Sequence, residues 1–524
     1  MTALTGTRIL VGLALRRDRV MIPAWVLGLG AAVAVTASSY SSLYATESSR
    51  REVVQTLGTT PATLALYGRI YADSVGGLVA WRLGGIALAL AGLMSILIVV
   101  RHTRAEEETG RAELVGAGVV GRHAPLAAAL ITAASASLAL GLIVTLAVVA
   151  NGLALSGAAA LGASFAAIGL VFAGVGAIAA QVAQTGRGAN GLAVGVLGAS
   201  FALRAVGDAG PHAVAWFSPL GWGQAIRPFG HERWWLLLAL LALAAAAAVA
   251  AAHLAIRRDL GAGIVPPRPG PARGALATPL QLAWRLQRGA LAAWTAGFAI
   301  LGAAFGSIAK DIGDVIGDSP EVRDAIKRLG GERSLADAYL AATLGVLALI
   351  AAGYAIQAVL RLSSEESGGR AEPLLATSVS RTRWALSHTV IALAGTAVLL
   401  AAAGLTAGLA HAAQTGDVGQ FPRVLGAALA QVPAAWVLAG VALALFGIAP
   451  RASAASWAAL ALCLALAELG PVLKLSKAVV DLSPFAHSPQ LPGGSVTAAP
   501  LALAAIAVAL GAAGLAALQR RDVD

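Results

Sequence analysis

Twelve apolar segments constrain this chain more than any other feature of its sequence. A membrane-spanning helix needs about 20 mostly apolar residues to cross roughly 30 Å of hydrocarbon. Since backbone polar groups in lipid must be satisfied within each segment, such runs predict helices rather than isolated strands. The segments lie at about 20–40, 80–100, 124–150, 157–183, 189–206, 234–256, 290–308, 338–360, 385–411, 424–449, 453–471 and 498–519. The sequence therefore predicts an all-α polytopic membrane protein with about 12 transmembrane helices.

The composition supports a membrane protein. Only 12% of the residues are charged, against roughly 25% in soluble globular proteins, and the mean hydropathy is +0.78. These values exclude a soluble enzyme, a disordered chain and a secreted disulfide scaffold. The single cysteine, Cys463, lies in an apolar segment, so the chain can form no internal disulfide and offers no cysteine-based metal site. We expect no metal centre on this chain.

The distribution of arginine and lysine predicts the orientation. With the N-terminus in the cytoplasm, the whole net charge of +11 falls on the cytoplasmic side, and the outer side balances at zero. This asymmetry follows the positive-inside rule, which places basic loops in the cytoplasm. The basic residues border the membrane and form no separate basic module, so we expect no nucleic-acid partner. A multi-pass protein of a bacterial plasma membrane, with both termini in the cytoplasm, is predicted.

Short motifs of the first half recur in the same order in the second half. Arg111-Ala112-Glu113 recurs 259 residues later as Arg370-Ala371-Glu372. The further matches are Glu106-Glu107 with Glu365-Glu366, Arg122 with Arg381, Ser218-Pro219 with Ser483-Pro484, and Arg257-Arg258-Asp259 with Arg520-Arg521-Asp522. Each copy carries six spans, so both copies enter the membrane with the same orientation as parallel repeats.

The repeat defines the predicted domains. Residues 1–260 form a first six-helix half, residues 261–274 form a cytoplasmic linker rich in proline and glycine, and residues 275–524 form a second six-helix half. In each half a short arginine-bearing helix is predicted to lead from the cytoplasm into the first span. The arginines of these two helices are Arg16, Arg19, Arg285 and Arg288.

The cytoplasmic loop between the second and third spans is the most informative segment of each half. A glutamate precedes an arginine by four residues in both loops, Glu107 before Arg111 and Glu366 before Arg370. On a helix this order favours an ion pair. Each loop then continues into an apolar piece too short to cross a bilayer. Charges of both signs beside an apolar strip favour a docking surface, whereas a solvated loop with ordinary helix-end charges is the alternative.

These features together resemble a known family. Two six-span halves, an N-terminal elbow helix and a glutamate-rich Gly-Arg-x-Glu loop between spans two and three resemble the ABC type-2 permeases. More narrowly, the chain is similar to fused actinobacterial permeases of the tetronasin-resistance or polyketide-antibiotic exporter type. The outer-loop segments Trp216–Trp222 and Asp481–Phe485 carry part of this resemblance.

The resemblance implies an exporter fold like that of the ABC G subfamily, with a separate ATPase subunit as partner. The loops between spans two and three would couple to that subunit, two copies of which would bind one permease chain. The implied coupling residues are Glu106, Glu107, Arg111 and Glu113 in the first half and Glu365, Glu366, Arg370 and Glu372 in the second. The four elbow arginines would contact the same subunit or the headgroups of membrane lipids. Ser367 replaces Glu108 in the repeat, so the two docking sites need not be equally strong.

The chain carries no ATP-hydrolysing motif. A P-loop needs Gly-x4-Gly-Lys followed by Ser or Thr, because its amides and lysine hold the phosphates. The lysines are Lys310, Lys327, Lys474 and Lys477, and none of them follows a glycine. We expect no catalytic residues and no cofactor on this chain, with ATP and Mg²⁺ bound by the partner ATPase.

A few polar residues inside the predicted spans are candidates for a gate or a transport path, because ionisable groups within the membrane are usually functional. Arg204 and Glu468 lie near the ends of the repeat-related spans five and eleven, and could pair as part of an outer gate. Alternatively, both simply extend to the membrane interface. Ser95, Tyr354 and Gln357 could line the path or hydrogen-bond to neighbouring helices.

The leading functional hypothesis is therefore an ATP-driven exporter permease for hydrophobic or amphipathic small molecules. An ion-coupled secondary transporter of hydrophobic solutes is the alternative, since such carriers also have six-plus-six repeats. No carboxylate for ion coupling is found near the middle of a predicted span. A membrane sensor or assembly subunit without transport activity is a third reading.

Overall fold

A computed structural model describes residues 2–56, 58, 61–210, 212–259, 261–265, 276–309, 332–469, 476–495 and 497–521. All regular elements among these residues are helices, and twelve of the helical segments are long and apolar enough to cross a membrane. The predicted all-α polytopic fold with twelve spans is confirmed. The contacts divide the chain into two compact units, Met1–Pro269 and Gly270–Asp524, which are described separately.

The described residues of the first half contain thirteen α-helices. They are α1 (Thr7–Arg17), α2 (Met21–Leu43), α3 (Glu47–Thr56), α4 (Pro61–Tyr67), α5 (Val75–Gly84), α6 (Ile86–Arg101), α7 (Arg104–Glu108), α8 (Arg111–Gly116), α9 (Ala124–Ala150), α10 (Leu155–Val182), α11 (Gly186–Ala209), α12 (Pro219–Ala225) and α13 (Trp235–Ile256), with a 3₁₀ turn at His212–Phe217. The second half opens with α14 (Pro279–Ile308).

The rest of the second half follows the same order. Its helices are α15 (Glu332–Val359), α16 (Arg361–Ser367), α17 (Ala371–Leu375), α18 (Arg381–Thr415), α19 (Gln420–Ala430), α20 (Val432–Ile448), α21 (Ser456–Leu469), α22 (Lys477–Val480) and α23 (Ala499–Arg520), with 3₁₀ turns at Pro450–Ala455 and Pro484–His487.

The fourth span, α10, is the central helix of the first half: 78% of its most apolar window is buried, against 28% for the first span. Glycines allow neighbouring helices to approach it closely. A Cβ atom on Gly162 would lie 2.3 Å from the carbonyl oxygen of Gly141 on α9, so no larger residue fits there. In the second half a Cβ on Gly447 would lie 2.1 Å from the carbonyl oxygen of Gly514. Such small residues hold helices together in lipid, where packing replaces hydrophobic exclusion.

Two helix boundaries differ from the predictions. The second span was predicted to run without interruption from residue 80, but α5 ends at Gly84 and α6 begins at Ile86, with Gly85 between them. A Cβ on Gly85 would lie 2.1 Å from the carbonyl oxygen of Leu66. The close approach of this backbone requires glycine and explains the break. The tenth span is likewise divided at Gln431 between α19 and α20.

A separate elbow helix before the first span is found only in the first half. There α1 ends at Arg17, and α2 starts at Met21. In the second half the predicted elbow and the first span form one continuous helix, α14, so a separate elbow helix around Arg285 and Arg288 was a wrong prediction. Asp18 follows the end of α1, and Gln287 occupies the equivalent position inside the continuous helix α14. This difference fits the helix propensities, because glutamine favours helices more than aspartate does.

Candidate functional site

The loop between the second and third spans consists of two short helices in both halves. In the first half α7 and α8 are separated at Gly110, which has a φ of +73°. In the second half α16 and α17 are separated at Gly369, with a φ of +64°. Such left-handed backbone favours glycine and terminates a helix. The end of each half that carries this loop is called its inner end below.

The glycine between the two short helices changes the ion pairs. Arg111 Nη1 lies 3.7 Å from Glu106 Oε1, and Arg370 Nε lies 3.2 Å from Glu365 Oε2. The predicted pairs at a spacing of four residues therefore do not form in either half, and that prediction is wrong. Each arginine pairs with the residue five positions before it, because the left-handed glycine turns the second short helix away from the axis of the first.

The remaining glutamate of each loop holds the end of the last span of its own half. Arg258 Nη2 lies 2.5 Å from Glu107 Oε1, and Arg258 Nη1 lies 2.8 Å from Glu107 Oε2. In the second half Arg521 donates to both oxygens of Glu366 at 2.6 and 2.7 Å. We call this bidentate ion pair, which each half forms once, the inner clamp. Arginine and carboxylate in this arrangement form strong, orientation-specific hydrogen bonds.

In the first half the inner clamp joins three spans. Arg104, which is fully buried, also donates to Glu107 Oε2 at 2.9 Å. Its Nε donates to the carbonyl oxygen of Ala180 at the end of α10, also at 2.9 Å. Arg258 Nε in turn donates to the side-chain oxygen of Gln181 at 2.6 Å. The loop is therefore joined by hydrogen bonds to spans two, four and six.

A second contact repeated in both halves ties the start of the third span to the end of the sixth. Arg122 Nη2 donates to the carbonyl oxygen of Ile256 at 2.8 Å. Its repeat partner Arg381 donates to the carbonyl oxygen of Arg521. The carbonyls at the end of a helix lack partners within that helix, so both arginines satisfy a helix end.

Other charges of the loops face solvent. The side chains of Arg111 and Arg370 are 55% and 56% exposed, and Glu113 and Glu372 are exposed as well. Leu114 beside them is 79% exposed. We call Arg111, Glu113 and Leu114 the coupling surface of the first half, and Arg370 and Glu372 the coupling surface of the second half. The structure thus separates the eight predicted coupling residues into four that face outward (Arg111, Glu113, Arg370 and Glu372) and four that hold the loop (Glu106, Glu107, Glu365 and Glu366).

The first-half elbow is fixed by a buried carboxylate. Asp18 is fully buried, and its two oxygens lie 2.6 Å from His102 Nε2 and 3.0 Å from Arg101 Nε. The adjacent Arg17 pairs with Glu106. The elbow helix is thereby attached to the loop of the coupling surface.

The four predicted elbow arginines, in contrast, point away from these ion pairs. Arg16, Arg19, Arg285 and Arg288 are all exposed. In the second half, Gln287 is the buried residue at the position of Asp18, and it contacts His388 Nδ1 at 2.9 Å. Their exposed side chains are accessible. Contact of these arginines with lipid headgroups or a partner subunit stays a prediction.

Arg204 is buried inside the first half. Its Nη2 donates to the carbonyl oxygen of Ala65 at 2.7 Å, and its Nη1 lies 3.4 Å from Asp208 Oδ2. The side chain is 1% exposed, so the reading in which Arg204 extends to the membrane interface is wrong. The side chain of Glu468 lies outside the described residues, and the pairing of Arg204 with Glu468 stays a prediction.

The three polar path candidates occupy different environments. Ser95 is buried, and its hydroxyl lies 3.0 Å from that of Ser137, which makes it a contact between helices. Its repeat partner Tyr354 is buried too, but its hydroxyl has no hydrogen-bond partner among the described residues. Gln357 accepts a hydrogen bond from Trp294 Nε1 at 3.1 Å and is exposed. Whether they line a path stays a prediction.

Arg258, Arg521, Arg17 and Asp18 form ion pairs that the sequence patterns did not predict. The signal for the first two was present, since the Arg-Arg-Asp segment was one of the recurring motifs. Its partner could not be found because the loop glutamates lie more than 150 residues away in sequence. In the part of the chain that the structure describes, no three His, Cys, Asp or Glu residues are grouped as metal ligands would be.

Twelve apolar helices, arranged as six in each of two units with the same inner clamp, define a multi-pass membrane protein of the permease class. Comparison with known proteins agrees. The family described as multidrug efflux system permease Rv1217c, C-terminal domain, matches residues 8–257 and again residues 276–519. The multidrug efflux system permease protein Rv1217c of Mycobacterium tuberculosis (strain ATCC 25618 / H37Rv) is 45% identical over 524 residues, covering 99% of this chain and 95% of the relative.

The chain therefore belongs to this family of multidrug efflux system permeases. The resemblance to permeases of the fused, twelve-span ABC type is confirmed. As a permease of an efflux system, it is a multi-pass membrane protein with a transport role.

Proposed function

We propose that the chain is the membrane subunit of an ATP-driven exporter, and that a separate ABC ATPase binds its two coupling surfaces. The inner clamp, which occurs once in each half, is the observation that carries this proposal. It gives both halves the same connection between an exposed loop and the end of the last span.

A docked subunit can act through this connection. Each arginine of the clamp holds its glutamate with two hydrogen bonds, and the side chains of Glu107 and Glu366 are only 9% and 10% exposed. Breaking a buried ion pair costs several kcal/mol, so the loop and the last span move together. An ATPase subunit that binds the exposed charged residues of the loop and changes conformation would therefore move the spans together with the loop.

ATP would be hydrolysed by the partner subunit. The sequence contains no P-loop, so ATP and Mg²⁺ would bind the ATPase subunit and not this chain. Because two coupling surfaces are present, we propose two ATPase copies for each permease chain. The surfaces are unequal: Glu108 Oε2 accepts a hydrogen bond from the backbone N–H of Gly186 at 2.9 Å, whereas Ser367 stands at the equivalent position.

The proposed substrates are hydrophobic or amphipathic small molecules. The relative's name describes a multidrug efflux system. The spans consist largely of alanine, leucine, valine and glycine, which can bind apolar molecules through area burial with few polar contacts.

The positions of carboxylates support an ATP-driven exporter over an ion-coupled carrier. Among the described residues, the buried carboxylates of the spans lie near span ends, with Asp208 ending one span and Asp337 and Glu365 close to the ends of another. Asp208, Asp337 and Glu365 each pair with arginine. Ion-coupled transporters typically bind their ions near the middle of the bilayer.

The proposed location is a bacterial plasma membrane with both termini in the cytoplasm. Because Cys463 is the only cysteine, a Cys463→Ser background allows single-cysteine labelling. Membrane-impermeant maleimide added to intact cells should label Glu47→Cys and spare Glu113→Cys. The reverse pattern would invert the topology and contradict cytoplasmic docking.

The coupling proposal is tested by charge reversal on the coupling surface. The double variant Glu113→Lys, Glu372→Lys should lower the affinity for a candidate ABC ATPase from the same operon by about tenfold or more, since each reversal creates a like-charge contact. Co-purification and drug-stimulated ATP hydrolysis would be measured on the full chain.

Glu47→Lys is the matched control, because Glu47 is 64% exposed and lies on the opposite side of the first span. It should leave both measurements unchanged. Full binding and full stimulation in the double variant would refute the docking assignment, as would efflux driven in proteoliposomes by the permease and an ion gradient alone.

A further inference from the structure

The inner end of the first half contains a cavity of about 690 Å³. Ligand pockets usually measure about 300–1,000 Å³. The cavity lies between the elbow helix α1, the loop of the coupling surface, and the first turns of α9. One wall is apolar and includes Leu10 and Leu13 of α1 and Leu126 of α9.

Charged residues also line the cavity, and more of them are cationic than anionic. Four arginines line it, Arg17, Arg111, Arg122 and Arg258, together with the carboxylates Glu106, Glu107 and Asp259. Each glutamate is shared between two arginines: Glu106 lies between Arg17 and Arg111, and Glu107 lies between Arg258 and the buried Arg104. The arginines therefore exceed the carboxylates that neutralise them.

Two of these arginines indicate an excess of positive charge directly. Arg122 pairs with no carboxylate of the described residues, and donates only to a backbone carbonyl. Burial, and then the positive charges of Arg101 and Arg111, lower the pKa of the Arg17 guanidinium. A negative group placed here would relieve this repulsion.

The second half has larger side chains at several of the positions that line this cavity in the first half. In the frame of the repeat, Gly116 corresponds to Leu375, Pro125 to Trp384 and Ala129 to His388. Trp384 and His388 are 1% and 2% exposed, and they pack against each other with ring centroids 6.5 Å apart. Larger side chains thus occupy the second half where small ones leave space in the first.

We propose that this cavity binds one acidic phospholipid, with the headgroup phosphate at Arg111 and Arg122 and an acyl chain along the apolar wall. Basic pockets beside transmembrane helices bind anionic headgroups, and the apolar wall gives a place for a chain that a free anion lacks. The site stabilises the elbow against the loop of the coupling surface. It is independent of whether an ATPase docks there.

Lipid binding would be measured by native mass spectrometry of the full chain in a neutral detergent. Dioleoylphosphatidylglycerol, dioleoylphosphatidylcholine and sn-glycerol 3-phosphate would be titrated separately. One phosphatidylglycerol should bind preferentially to each chain, whereas the other two compounds should bind at least about fivefold more weakly, the effect of a single arginine near a headgroup.

Two variants place the lipid in this cavity. Gly116→Leu introduces the residue of the second half, and a Cβ on Gly116 meets no atom within 4 Å, so this variant should fold and lose the lipid. Arg122→Gln should weaken phosphatidylglycerol binding about fivefold and reduce its preference over phosphatidylcholine.

The matched controls are Gly12→Leu, whose Cβ also lies in open space outside the cavity, and Arg257→Gln, an exposed arginine at the same end. Both should retain the lipid. Equal binding of the two phospholipids, or undiminished binding in Gly116→Leu, would overturn the proposal. Binding of sn-glycerol 3-phosphate as tightly as the lipid would reassign the site to a free phosphate and overturn it as well.

Discussion

The inner ends of the two halves share the inner clamp but differ in the helices and side chains around it. Both hold the loop between spans two and three with a glutamate–arginine clamp to the last span. The first half adds a broken elbow helix and a cavity, whereas the second has a continuous helix and a buried tryptophan. A feature kept in both halves points to a requirement of the mechanism. A feature present in one half points to a specialised role for that half.

The largest expected effect comes from removing the acid of the clamp. Glu107→Ala leaves the buried Arg104 and the half-buried Arg258 without their carboxylate and should lower the free energy of unfolding by about 3–5 kcal/mol. Glu366→Ala deprives only Arg521 and should cost about 1–3 kcal/mol. SDS titration in detergent micelles would measure both, with the exposed Glu113→Ala expected within about 0.5 kcal/mol of the original chain. Equal losses in the two halves would show that Arg104 contributes nothing to the first clamp.

The next largest loss of stability is expected when the packing around Trp384 in the second half is changed. Trp384→Phe removes part of a buried indole that packs against Phe446 at a ring distance of 6.3 Å, and we expect a loss of about 1–3 kcal/mol. Trp457→Phe is the control, because Trp457 is 45% exposed and its change should stay within about 0.5 kcal/mol. Thermal unfolding followed by circular dichroism would separate the two. If the variants behaved alike, Trp384 would not fill the second half in the way described.

A smaller difference in stability is expected between the variants of Asp18 in the first half and Gln287 in the second. Asp18→Ala removes a buried carboxylate from both Arg101 and His102 and should cost about 1–3 kcal/mol. Gln287→Ala removes one hydrogen bond to His388, and should cost about 1 kcal/mol. Protease protection of the N-terminal segment would report the elbow directly. Unchanged protection in Asp18→Ala would mean that the N-terminal helix is held elsewhere.

The smallest effects are expected for the repeat-related pair Ser95 and Tyr354. Ser95→Ala breaks a hydrogen bond between helices, which in membrane proteins is worth about 0.6 kcal/mol. Tyr354→Phe removes a buried hydroxyl that has no partner among the described residues, so stability should be unchanged or slightly raised. A drop in drug efflux for Tyr354→Phe without loss of stability would assign this hydroxyl to the path. Unchanged efflux would make it a packing residue.

Much of the fold could be predicted from local sequence because the bilayer restricts the options. An apolar run of sufficient length in lipid must be a helix, so all twelve spans were identified, and α9 was predicted with its observed bounds. The inner loops were identified by their charges and by their recurrence. Their ion pairs were predicted wrongly, since a positive φ at Gly110 is invisible to a spacing argument that assumes one helix.

The amino-acid sequence by itself determined the class of protein, the number of spans and the two-fold repetition of its motifs, because hydrophobic length and recurrence are properties of the linear chain. Only the tertiary structure decided which glutamates hold the loop and which face outward, since the partners Arg258 and Arg521 reach the loop from the far end of each half. It also decided that the inner end of the first half contains a cavity, and that Trp384 is buried in the second half. Packing and ion pairing depend on side chains that are distant in sequence, and only folding brings them within a few ångströms.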